Sequence, residues 1–181
     1  VMQMDGVNYT AVRDYAWGTA WQVVDGRGDY NGDGKSDLLV RNTLSGTFEV
    51  LQMDGVNSTA VRDYAWGTNW LVVDGRGDYN GDGKSDLLVR NTLSGTFEVM
   101  QMDGVNSTAV HDYAWGTDWQ VMDGHGDYNG DGKSDLLVRN TISGTFEVLQ
   151  MDGVNSTAVH DYAWGTNWLV QSMADALLTG G

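Results

Sequence analysis

Aspartate, asparagine and glycine recur in one nine-residue pattern suited to holding a hard metal cation. It reads Asp29-Tyr30-Asn31-Gly32-Asp33-Gly34-Lys35-Ser36-Asp37 and returns as Asp78–Asp86 and Asp127–Asp135. Side-chain oxygens stand at loop positions 1, 3, 5 and 9. These are Asp29, Asn31, Asp33 and Asp37 in the first copy, Asp78, Asn80, Asp82 and Asp86 in the second, and Asp127, Asn129, Asp131 and Asp135 in the third. Position 7 is Lys35, Lys84 or Lys133, which can offer a cation only its backbone carbonyl. Glycine at position 6 allows the sharp turn that wraps a chain around an ion. This is the oxygen rhythm of a calcium loop. Such oxygens on a flexible loop suit Ca²⁺ better than Mg²⁺, which demands a tight octahedron. Three Ca²⁺ per chain are therefore expected. Position 12 is Val40, Val89 or Val138, where a helix–loop–helix sensor carries a bidentate glutamate. The ninth-position aspartate is expected to close the site instead, with no sensor-type opening. Without a cation the clustered carboxylates would repel one another.

Little other chemistry is available. The chain has no cysteine, which excludes thiolate metal sites and cysteine nucleophiles. His111, His125 and His160 stand where other copies carry arginine, so they read as surface charge. No unique Ser, His and Asp set stands out, and a catalytic group is normally singular; the chain reads as a non-enzyme. The formal charge of −15 repels nucleic-acid phosphates and anionic membrane surfaces, and three Ca²⁺ would bring it to −9. No stretch is apolar enough to span a bilayer. Arg27-Gly28-Asp29 and Arg76-Gly77-Asp78 spell an adhesion tripeptide, but each Asp is also the first metal ligand.

The elements that position these loops come from a repeat. Trp21, Trp70, Trp119 and Trp168 are spaced by 49 residues, giving units 21–69, 70–118 and 119–167 within one domain, 1–181. The first two units differ only at Gln22/Leu71, Leu51/Met100, Arg62/His111 and Asn69/Asp118. Such identity means recent duplication or deliberate design. Each unit predicts four strands: Trp21–Gly26, Leu38–Asn42, Thr47–Met53 and Ser58–Trp66, with the metal loop between the first two. Leu38-Leu39-Val40 is continuously apolar, as in a strand buried on both faces. Phe48 and Val50 share one face while Glu49 points to the other. Asp54-Gly55 signals a hairpin. With 25 glycines and no proline, the turns are glycine turns.

Four strands in each 40–50 residues predict an all-β propeller of four-stranded antiparallel blades. Residues 1–20 supply the third and fourth strands of a further blade and 168–181 its beginning. The two partial repeats are expected to form a composite closing blade, making four blades per chain; a helical turn or two fits 172–178. The alternative is a homodimer completing an eight-bladed ring of two chains. Trp17, Trp66, Trp115 and Trp164 read either as a ligand-stacking platform or, with more weight, as core between blades. Tyr30, Tyr79 and Tyr128, inside the loops, are expected to be partly exposed.

The run Gly28-Asp29-Tyr30-Asn31-Gly32-Asp33-Gly34-Lys35-Ser36-Asp37-Leu38-Leu39, after a Trp-x-Val strand, resembles the FG-GAP/VCBS-type repeat. That repeat forms the calcium-bearing blades of integrin α-chain propellers and of many secreted bacterial proteins. A family of fungal propeller lectins is also similar. The resemblance implies a β-propeller, Ca²⁺ in the loops, an extracellular location, and binding or adhesion rather than catalysis. The partner expected is a protein or carbohydrate ligand, the latter in equivalent pockets between blades. An engineered or excerpted repeat propeller without any ligand is the remaining reading.

Overall fold

A computed structural model of the protein describes residues 1–168. It contains fourteen strands and, among the described residues, no helix. An N-terminal hairpin pairs β1 (Met2–Asp5) with β2 (Asn8–Val12). Three four-stranded antiparallel sheets follow, each a meander in chain order. The first blade is β3 (Trp21–Asp25), β4 (Leu38–Asn42), β5 (Thr47–Asp54) and β6 (Asn57–Ala65). The second is β7 (Trp70–Gly77), β8 (Asp86–Asn91), β9 (Phe97–Asp103) and β10 (Asn106–Tyr113). The third is β11 (Trp119–Gly126), β12 (Asp135–Asn140), β13 (Thr145–Asp152) and β14 (Asn155–Ala163). The all-β architecture of repeated four-stranded blades is thus as the sequence predicts. The closing blade's C-terminal part, beyond Trp168, lies outside the described residues, as does the helical turn expected over 172–178.

Each blade buries the faces its sequence marks as apolar. Leu39 and Val40 of β4 and Phe48, Val50 and Leu51 of β5 are buried, each contributing about 1.5–3 kcal/mol. The clusters cross blade boundaries. Tyr30, Leu39, Phe48 and Val50 of the first blade share a core with Leu87, Met100 and Met102 of the second. A second cluster joins Tyr79, Leu88 and Phe97 to Leu136, Val138 and Leu149 of the third.

Two local features depart from simple alternation. The pairing of β5 with β6 slips between Gln52 and Met53, so Thr59 is an extra residue opposite none. This bulge, repeated in all three blades, resets which β6 side chains face the core. The hairpin turn is Gly55-Val56 rather than Asp54-Gly55, because Asp54 pairs with Asn57. Gly55 has φ +62 at the first central position and, among the described residues, no non-glycine residue has positive φ, which is a type II′ arrangement.

Candidate metal loops

The loop Asp29–Asp37 is held by its own side chains. Asp29 Oδ1 accepts the amides of Gly32 (2.8 Å) and Asp33 (3.1 Å), and its Oδ2 accepts that of Gly34 (2.8 Å). Asn31 Oδ1 accepts the amide of Asp33, and Asp33 Oδ1 that of Lys35, both at 2.9 Å. These nested turns need left-handed backbone at Gly32 (φ +74) and Gly34 (φ +80), which glycine adopts without strain. The ends are pinned where Asp37 N donates to the Gly28 carbonyl at 2.6 Å. The same bonds recur at 78–86 and 127–135.

The ninth-position aspartate is the anchor. Asp37, Asp86 and Asp135 are fully buried. Asp37 Oδ2 accepts the Tyr30 amide (2.9 Å) and Oδ1 the Met53 amide of β5 (2.7 Å), tying the loop to the sheet. Burial pushes the Asp86 carboxyl up to about 7, helped by the charges of Asp78 and Asp82 and opposed by the amides of Met102 and Tyr79. Asp37 is raised for the same reasons. The exposed Asp33 and Asp127 move the other way, chiefly because backbone amides, of Lys35 and Gly132 respectively, bond their ionised forms.

The structure therefore brings Asp29, Asn31, Asp33 and Asp37 into one short loop, and likewise their counterparts. It does not draw the carboxylates into a finished cage: among the described residues no three Asp, Glu or His side chains converge tightly enough to hold an ion as they stand. The donor set fits Ca²⁺ in chemistry, since each loop offers hard oxygens only. A buried, charge-crowded carboxylate such as Asp86 is also what a cation would relieve.

Several working residues carried no sequence signal. Ser85, at loop position 8, reaches back to the preceding blade: Asp29 N donates to Ser85 Oγ (2.9 Å) and Ser85 N donates to the Asp29 carbonyl (2.7 Å). Ser134 treats Asp78 in the same way. The 49-residue spacing makes the serine visible, but nothing in sequence says that it serves its neighbour. The loop lysines reach the β5–β6-type hairpins at the surface: Lys84 Nζ lies 2.8 Å from Asp103 and Lys133 Nζ 2.6 Å from Asp152. Tyr30 and Tyr79 correct another expectation. Both are completely buried, because the next blade covers the loop; only Tyr128 is partly open, at 46%. His125 is likewise more than surface charge, with Nδ1 2.6 Å from Asp74 Oδ2 of the preceding blade, where Arg76 meets Asp25 at 3.4 Å.

Trp66 and Trp115 pack between blades. Trp66 lies 4.9 Å from Phe48 and 6.5 Å from Trp70, ring centre to centre, and Trp115 lies 5.1 Å from Phe97. Trp17 stacks on Tyr15 at 4.9 Å and packs against the Val40 and Leu51 cluster. Trp164 sits on Phe146 but remains 50% exposed. These contacts give Trp17, Trp66 and Trp115 a packing role against the core, where each is partly buried.

Residues 29–89, which take in the first two loops, match the family model of the FG-GAP-like repeat. The match covers 61 of the chain's 181 residues. The match and the three four-stranded sheets together make its fold β-propeller-like and its type that of a binding or adhesion module. No curated protein and no solved structure matches the chain.

Proposed function

We propose that this FG-GAP-like chain is a calcium-stabilised, extracellular, non-catalytic module that presents a rigid blade surface to a protein or carbohydrate partner. The observation that carries the reading is the loop itself: a buried ninth-position aspartate, a first-position aspartate gathered by three amides, and two left-handed glycines, three times over.

Asp29, Asn31, Asp33, Asp37 and the Lys35 carbonyl would hold one ion, and the equivalent residues two more. The cation supplies positive charge between carboxylates that otherwise repel. The chain's own residues do the positioning: Asp37 fixes the loop to β5, and Ser85 fixes it to the next blade. Extracellular calcium is concentrated enough to fill even weak sites of this kind.

An ion bound only by the folded chain adds about 2.7 kcal/mol per site at a hundredfold excess over Kd. Thermal unfolding in excess Ca²⁺ and in EDTA tests this. The melting temperature should fall by about 5–10 °C for each site emptied. Calorimetric titration should count three ions per chain. Superimposable melting curves would remove calcium from the account, and a titration without heat would confirm its removal.

A further inference from the structure

The blades meet through a repeated junction, and one copy of that junction is open. At each closed junction the hairpin of one blade caps the preceding blade. Tyr64 Oη donates to the Val105 carbonyl (2.9 Å) and Tyr113 Oη to the Val154 carbonyl (3.0 Å). Gly104 N donates to the Tyr30 carbonyl (2.7 Å) and Gly153 N to the Tyr79 carbonyl (2.8 Å). The N-terminal hairpin joins the series from its other side, since Tyr15 Oη donates to the Val56 carbonyl at 3.0 Å.

The third blade carries the same capping face with nothing on it among the described residues. By the 49-residue offset, Tyr162 repeats Tyr113 and Tyr128 repeats Tyr79. Trp164 and Trp168 line a hollow of about 300 Å³ there and are 50% and 61% exposed. At the other end of the chain, the β1–β2 hairpin carries the capping residues with nothing to cap among the described residues. Val7 repeats Val56 and Val154, yet it is 93% exposed where they are 8% and 9%. Gly6 repeats Gly104 and Gly153 and has the same left-handed φ, +60. Face and hairpin are thus the two halves of one junction, identical in kind to those closed inside the chain, and within the chain as folded they do not meet.

We propose that the open face of the third blade is the docking site for the β1–β2 hairpin of a second copy of this chain. Two copies then join head to tail at two equivalent junctions, which is a closed arrangement. Gly6 N donates to the Tyr128 carbonyl of the second copy, Val7 covers its tryptophan hollow, and its Tyr162 hydroxyl donates to the Val7 carbonyl.

Light scattering on the full chain should give the mass of two chains. Val7→Asp places a charge in the buried junction and should return the particle to one chain with an unchanged circular dichroism spectrum, because Val7 is exposed within a single chain. Tyr162→Phe should raise the dimer dissociation constant roughly 25-fold, one neutral hydrogen bond lost at each of two junctions. The chain has no native cysteine, so Asn8→Cys and His160→Cys can be made separately, mixed, and treated with a short bismaleimide. A covalent dimer of the two variants is expected. A single-chain mass for the unmodified protein, a dimer indifferent to Val7→Asp, or a bridge that forms only when both cysteines lie on one chain would each overturn the proposal; the last would mean that the hairpin caps its own chain.

Discussion

The second and third blades are nearly the same sequence in two different situations, one covered by a following blade and one not. In the covered blade Tyr79 is fully buried and its hydroxyl donates to the Gly124 carbonyl of the next blade at 2.7 Å. In the uncovered blade Tyr128 is 46% exposed and turns back to its own Asp123, at 2.9 Å. The ninth-position aspartate is buried in both, because its own loop and sheet supply the cover. A blade therefore buries its ninth-position aspartate alone but borrows the burial of its loop tyrosine. In repeat proteins stability is a sum of unit and interface terms, and this pair separates the two.

The largest difference between the blades should appear in the tryptophans. Trp115→Ala should cost about 3 kcal/mol, since the ring fills the space between Phe97 and Trp119. Trp164→Ala, measured in dilution where the particle is one chain, should cost less than about 1 kcal/mol. Urea denaturation of both variants compares them; equal losses would mean the third blade's face is covered after all.

Glycines before the loop tyrosine come next. A Cβ at Gly77 would lie 2.5 Å from the buried Tyr79 ring, which cannot move away. Gly77→Ala should cost about 2–3 kcal/mol. At Gly126 the same Cβ meets Asp123 and Tyr128 at 2.8–2.9 Å, and the half-exposed Tyr128 can yield, so Gly126→Ala should cost under about 1 kcal/mol. Smaller still, Tyr79→Phe leaves the Gly124 carbonyl unpaired and should lose about 1–2 kcal/mol, while Tyr128→Phe should be near neutral. Thermal melts at matched protein concentration order all four.

The smallest expected effect is a pH dependence. Glu98 pairs with Asp112 across β9 and β10. Burial, then the Asp112 charge, pushes its carboxyl from 4.5 up to about 7. The folded state thus holds a proton that the unfolded state releases, so stability falls as pH rises from about 4.5 to about 7. Glu98→Gln should raise the melting temperature by about 2 °C at pH 8 and by nothing at pH 4. Glu147, raised by burial and by Asp161 in the third blade, should show a smaller gain on the same substitution. The reverse ranking would show that burial does not set this cost.

The strands and loops were legible in the sequence for a simple reason. Alternation in Thr47–Met53, the apolar run Leu38–Val40 and the Asp/Asn/Gly loop are each decided by residues close together in the chain. The Thr59 bulge was not legible, because a register slip depends on the partner strand. Nor was the role of Ser85 or of the loop lysines, whose partners lie in the next blade and in the neighbouring hairpin.

By itself, the sequence determined the 49-residue period, the four strands of each unit and the oxygen donors of each loop, since these follow from local periodicity and side-chain chemistry. Only the tertiary structure decided which of the equivalent tyrosines, tryptophans and hairpins are covered. Burial belongs to a junction between units, and a junction has two sides that identical sequences cannot distinguish.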